Sequence, residues 1–279
     1  MREEMATQVV STVQVIEALL ARSAVYHALS VLLRHPDAET SAWLASRQHH
    51  RLLEVLERLG PESRLQELAR RLTELLDTVP VSDLRREHER TFGHAVQGAA
   101  PPYELEYGEE HSHREPQELG DIAAFYQAFG LRVALAAHER ADHLVTECEF
   151  LHCVLYKQAC AVDADAHEQA EVCGDAVQRF LADHLGRWGP AFALRLTRVA
   201  GDDWLGVVGD MLLEWLSQEC ARMDVPLGSG DLPLRSPKEQ DAVGCAACTL
   251  QSFDSATPRS GFRPPDARGA PQGQIENDR

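Results

Sequence analysis

Lysine is almost missing from this chain. Of its 27 basic residues only Lys157 and Lys238 are lysines, and they stand against 44 acidic residues for a net charge of −17. No basic block occurs anywhere, which argues against nucleic acid, where a cationic face must replace phosphate counterions. An acidic surface suits a partner that is itself cationic. Long apolar runs are missing too. The most apolar early stretch, "VQVIEALLARSAVYHALSVLL", is broken by Glu17, Arg22 and His27. It falls short of the ~18 uninterrupted apolar residues of a membrane helix, so stable membrane insertion is not expected. The N-terminus "MREEMATQVVST" lacks the basic-then-apolar order of a secretory signal, so the expected location is the cytoplasm. There is no GxxxxGK[ST] loop and no GxSxG elbow, hence no support for nucleotide binding or a serine nucleophile, and no cofactor is expected. The seven cysteines, an odd number, form no regular framework. Several fall inside helical patterns, where a free cysteine behaves as a small apolar residue, and a reducing compartment is the natural reading.

No alternating strand and no internal repeat is visible; what the chain has is helical period. Val15, Leu19, Tyr26, Leu29 and Leu33 recur on one helical face, and His35-Pro36 stops it. "TSAWLASRQHHRLLEVLERLG" ends at Gly60, a helix-terminating glycine. "PESRLQELARRLTELLDTVP" opens with a proline suited to a first turn. "VSDLRREHERTF" reads as a shorter helix capped by Ser82. "GHAVQGAAPPYELEYGEEHSHRE" then loses all period and reads as a long loop, a kind of segment that is usually functional or disordered. Helical texture resumes at "PQELGDIAAFYQAFGL", with Pro116 in the first turn, and runs on to Met223.

Beyond that point lie seven of the fourteen prolines. The expectation is an all-α domain, a single bundle of about ten helices over residues 1–225, followed by a disordered tail over 226–279. The tail holds "GCAAC". Cys245 and Cys248 could supply two thiolates to zinc or form a redox pair, but a single CxxC is at most half of a structural zinc site; His111 and His113 of the loop could in principle complete it, yet the pair lies in the tail without the strand-helix context of a redox motif, and no metal is expected. His88 and His94 read as solvated or locally hydrogen-bonded.

The stretch "ERADHLVTECEF", residues 139–150, puts six ionisable side chains into twelve residues just as an apolar helical pattern begins. With a helix opening at Asp142, Leu144, Cys148, Leu151 and Leu155 form the core stripe. Asp142, Thr146 and Glu149 then fall opposite, with His143 and Glu147 beside them as an outward face. One reading is an ordinary solvated face, with Asp142 capping the helix and His143–Glu147 as an exposed pair one turn apart. A metal reading lacks the HExxH spacing and a second histidine on the face. A docking surface for a cationic peptide is the third.

"PPYELEYG", "PQELGDIAAFYQAFGL" and "ERADHLVTECEF", in this order and at these spacings, resemble the TorD/DmsD family of redox-enzyme maturation chaperones. The likeness is strongest to the branch serving type II dimethyl sulfoxide reductase family molybdoenzymes, and it covers about residues 10–225. It implies a cytoplasmic chaperone without enzyme activity, a monomer or weak homodimer. Its partners would be the apo form of a molybdoenzyme catalytic subunit and that subunit's twin-arginine leader, held until molybdenum cofactor is inserted and export is safe. Carried over by position, leader binding falls to Glu139, Asp142 and His143, with Tyr103, Glu104, Tyr107 and Gly108 of the loop facing them. Glu147 and Glu149 offer further carboxylates for guanidinium groups. Tyr103 and Tyr107, being in a loop, are expected at the surface, whereas Phe125 and Phe129, i,i+4 on a helix, are expected in the core. Two alternatives stand beside this reading: a NarJ-like chaperone for a nitrate reductase, and a small all-α metal-binding enzyme using the Asp142/His143 region.

Overall fold

The computed structural model describes residues 2–59, 64–93, 98–108, 115–134 and 139–235, with side chains from Thr12 onward and Glu115 excepted. The chain divides into two units, Met1–Pro237 and Lys238–Arg279, and every described residue belongs to the first. Ten α-helices occur among the described residues: α1 (Arg2–Leu33), α2 (Ala38–Ala45), α3 (Gln48–Leu59), α4 (Arg64–Thr78), α5 (Val81–Phe92), α6 (Glu115–Ala128), α7 (Leu144–Asp163), α8 (His167–Phe180), α9 (Gly186–Ala200) and α10 (Trp204–Arg222). A 3-10 turn covers Glu104–Glu106, and a π-helical turn, Leu181–Leu185, joins α8 to α9. The all-α expectation holds. Gly60, Pro61, His94, His111, His113, Cys245 and Cys248 lie outside the described residues.

The core is built on α1 against α7, with α8 on one side and α9–α10 behind. Leu144, Cys148, Leu151 and Leu155 are all fully buried, as the stripe requires. Each such leucine contributes roughly 1.5–3 kcal/mol by leaving water. On α1, Leu19, Tyr26, Leu29 and Leu33 are buried, but Val15 is exposed. Residues Thr12–Leu33 are long and apolar enough to cross a membrane, which the reading of interrupted runs did not anticipate. Here that apolar surface is core surface. Arg22 sits within it, buried, its guanidinium fork donating from Nε to Oε1 and from Nη2 to Oε2 of the fully buried Glu219 of α10, each at 2.9 Å. One turn on, Tyr26 meets Trp215 edge to face at 5.5 Å.

Helix ends follow local chemistry with one correction. Asp37 caps α2 by accepting from Thr40 N, and Asp203 caps α10 by accepting from Leu205 N and Gly206 N. Ser82 does not cap α5: the helix starts one residue earlier, behind Pro80. Pro80 there holds the extended conformation (φ −63°, ψ 147°) that an N-cap needs, without a side-chain bond. The free cysteines Cys148, Cys173 and Cys220 are buried as small apolar residues.

The expected end of the domain at residue 225 falls short. Residues 226–235, read as the start of a tail, run as a strap across the body. Pro190 lies inside α9 and has no N–H for the carbonyl of Gly186, four residues back; Gly228 N donates to that carbonyl at 2.9 Å instead. A side chain at 228 would meet Arg187 O at 2.0 Å, so glycine is what permits the approach. Further on, Gly108 N donates to Pro233 O at 2.8 Å and Arg235 N to Glu106 O at 2.8 Å, around a Tyr107–Leu234 bridge. Composition suggested a tail because proline and glycine also serve a backbone that bonds to another segment instead of to itself.

Two outcomes are expected. Glu219→Ala leaves Arg22 buried without its carboxylate and lowers unfolding free energy by about 3–5 kcal/mol, whereas loss of Arg222, the part-exposed second arginine on that carboxylate, in Arg222→Ala lowers it by less than about 1 kcal/mol; urea titration measures both. A chain ending at Val225 melts below one ending at Pro237, because only the longer one keeps the bonds to Gly186, Gly108 and Glu106; equal melting temperatures would make the strap idle.

Candidate functional site

"PPYELEYG" and "ERADHL" fold onto one another. Pro102 O accepts from Leu144 N at 2.9 Å, Asp142 O accepts from Glu104 N at 2.9 Å, and Tyr103 pairs with His143 as an isolated bridge. Beyond the bonds of its own 3-10 turn, from Glu106 N to Tyr103 O and from Tyr107 N to Glu104 O, the first loop finds its backbone partners in the turn before α7. Three acids sit inside this clasp. Asp142 accepts from both edges of the Arg140 fork, at 2.9 and 2.7 Å, and from Leu105 N at 3.1 Å. Glu104 accepts from His184 Nδ1 at 3.0 Å and from the Arg187 guanidinium. Glu147 accepts from the indole N–H of Trp188 at 3.1 Å, and its other oxygen has no partner.

The outward polar face expected for residues 142–149 is therefore corrected. Asp142, Glu104 and Glu147 are buried, and so is Tyr107 beneath the strap. Asp142 does not cap α7 either; His143 does, its Nδ1 accepting from Val145 N at 3.2 Å. His143 pairs with Glu139, its Nε2 3.2 Å from that carboxylate, and not with Glu147. Glu147 lies about 60° from Leu144 at 100° per residue, inside an apolar stripe that commonly spans 100° or more. That angle is the signal the sequence offers for burial, and the preference of carboxylates for water points the other way.

What remains open to solvent is a groove of about 720 Å3 on the outer side of the clasp. Leu33, Phe92, Leu131, Val133 and Phe150 give it an apolar lining, and Asp37, Glu89, Glu139 and Glu149 give it acids. Tyr103 and His143 form its wall toward the clasp, with their rings edge to face at 5.0 Å and Arg140 over the tyrosine at 4.8 Å. The groove's Arg34 is engaged by Glu39 and Glu149. Of the residues assigned to leader binding, Glu139, His143 and Tyr103 line this groove. Glu104, Tyr107 and Gly108 line a separate cavity of about 270 Å3 with Glu118, Asp121 and Arg235, and Asp142 and Glu147 line neither. Asp37, Glu89 and Phe92 were missed, since they come from α2 and α5, and no local spacing ties those to α7. Phe125 and Phe129 pack on the core as expected, around Phe150 at 6.2 and 5.8 Å.

Burial governs the ionisation here. It pulls His88 and His143 down to about 4, so both line the groove as neutral rings at pH 7. Burial, then the charge of Asp142, raises Glu139; burial raises Asp142 and outweighs the Arg140 fork. Glu147 is pushed well above the usual carboxylate range, by burial first and by neighbouring Glu104 next.

The family model described as "Nitrate reductase delta subunit" matches residues 60–194. The chain is 31% identical over 122 residues to the chlorate reductase assembly chaperone protein of Ideonella dechloratans, a match covering 44% of this chain and 58% of that protein. It is 29% identical over 191 residues to the perchlorate reductase assembly chaperone protein of Dechloromonas aromatica (strain RCB), covering 64% and 80%. With the selenate reductase assembly chaperone protein of Thauera selenatis it shares 37% over 78 residues, covering 28% and 39%. The matches to the chlorate and selenate relatives thus span less than two thirds of their length.

Glu147 gives the clasp a pH signature. Its folded pKa lies above its unfolded value, so the fold holds its proton more tightly than the open chain does. The stability this contributes is complete below about pH 4.5 and is lost as pH rises toward the folded value. Glu147→Gln keeps an acceptor for Trp188 and carries no charge. The variant is expected to gain melting temperature relative to the parent at pH 8 and to gain less at pH 5; equal gains at both would show Glu147 ionised in the fold.

Proposed function

We propose that the chain is a chaperone of the family described as nitrate reductase delta subunit, of the NarJ/TorD type, and that it assists assembly of the catalytic subunit of a molybdoenzyme that reduces an oxyanion. Proteins of this family are assembly chaperones and not enzymes. The client's twin-arginine leader docks in the acidic groove while the apo-subunit awaits molybdenum cofactor, and export is delayed on the cytoplasmic side until then.

The observation that carries this reading is the pairing of an apolar floor with carboxylates in one groove. A leader presents two adjacent arginines followed by an apolar stretch. Guanidinium forks are recognised by carboxylates, at about 1.5–3 kcal/mol per charge-assisted bond, and the apolar stretch by Phe92, Leu131 and Phe150. Glu89 and Glu139 are the acids best placed, since both are exposed and neither holds a guanidinium. Neutral His88 and His143 add no repelling charge at pH 7. Asp142 and Glu104 serve this site by holding its wall in shape, not by touching the peptide.

A labelled synthetic peptide with two arginines and an apolar stretch tests the reading by fluorescence anisotropy. Glu89→Gln with Glu139→Gln is expected to weaken binding by about tenfold or more while leaving the unfolding midpoint unchanged. Replacing the peptide's arginines by lysines keeps the charge and removes the planar fork, so it should weaken binding too. Undiminished affinity in the double variant would take the leader out of this groove.

A further inference from the structure

A second cluster of side chains lies away from the groove, where the start of α3 meets the end of α4. His49 and His50 stand in the first turn of α3 and Asp77 in the last turn of α4. Both imidazoles turn Nε2 toward the same oxygen, Asp77 Oδ1, each at 3.0 Å. The three donor atoms lie within 4.8 Å of one another. His49 is buried beside Trp43, at 6.0 Å between ring centroids, and so its position is fixed; His50 and Asp77 are part-exposed and reachable from solvent.

We propose that His49, His50 and Asp77 form a binding site for a borderline divalent cation, zinc foremost. The donor set is two imidazole nitrogens and one carboxylate oxygen, the set that zinc shares with other late first-row ions and that magnesium and calcium, which want oxygen cages, do not favour. The spacing fits. Ligands about 2.0–2.1 Å from a tetrahedral ion stand about 3.3 Å apart, within a few tenths of an ångström of the two gaps to Asp77. The field fits as well, because Asp77 sits where the last carbonyls of α4 concentrate negative partial charge, so a cation there meets both.

Two features set the strength of this site. A cation is already near it: Arg47 Nη2 lies 2.7 Å from His50 Nε2 and must swing away for an ion to enter. Arg47 is exposed, so it can. His49 Nδ1 is buried without a partner, so the outer hydrogen bond that usually supports a metal-bound histidine is missing. Such missing support lowers affinity by about 10–100-fold, which makes this a reversible site and not a structural zinc.

The test uses the full-length chain carrying Cys245→Ser and Cys248→Ser, so that the cysteine pair cannot answer for the site, stripped with chelator and titrated with Zn2+ by calorimetry. One site is expected, with no response to Mg2+. His50→Ala and Asp77→Asn, both at part-exposed positions and checked for folding by circular dichroism, are each expected to weaken it by tenfold or more. Arg47→Gln, which removes the competing cation, is expected to tighten it, a gain that misfolding cannot imitate. Absence of zinc binding, binding that either ligand substitution leaves unchanged, or an Arg47→Gln protein that binds zinc no tighter overturns the proposal.

Discussion

The clasp between residues 102–108 and 139–147 depends on Asp142. One carboxylate, with no exposed surface, holds the Arg140 fork and the amide of Leu105 while its own carbonyl receives Glu104 N. Removing one partner from a buried pair of this kind costs about 3–5 kcal/mol, more than any rim contact of the groove can supply. Arg140, so fixed, lies over Tyr103 and reaches Glu106 at 3.3 Å. The groove wall, the anchor of the strap and the start of α7 are thus all set by one buried charge and its partners.

The acidic side chains are divided between two duties. Asp142, Glu104, Glu147 and Glu219 are buried and act on the fold, each in contact with arginine or tryptophan. Glu89 and Glu139 are exposed and remain for a partner. The near-absence of lysine agrees with the first duty, because a planar fork can satisfy both oxygens of a buried carboxylate and an ammonium cannot. The same economy appears at Pro190, where the carbonyl left open by a missing N–H is closed by Gly228 of the strap.

The proposed metal site and the groove use different elements. The groove draws on α1, the Asp37 cap of α2, α5, α6 and α7, and the cluster of His49, His50 and Asp77 on α3 and α4. A chaperone that binds an apo-subunit through the groove would therefore keep the α3–α4 end free, and zinc binding and leader binding can be measured independently of each other.

By itself the sequence determined the helical class, the stripe Leu144–Cys148–Leu151–Leu155, the inward turn of Phe125 and Phe129, and the three segments that carry the family resemblance. All of these rest on period or on linear order, which a chain displays before it folds. The tertiary structure alone decided which of the charged residues face water. Asp142, Glu104 and Glu147 read as exposed because an isolated carboxylate in an apolar interior is costly; Arg140 stands only two residues from Asp142, but nothing local reveals that Leu105 N, Arg187 with His184, and Trp188 arrive to close the three sites. For the same reason Asp37, Glu89 and Phe92 were silent as groove residues, and residues 226–235 looked like a tail. Their partners lie in segments remote in the chain, and burial of a polar group is a property of the pair, which neither residue shows alone.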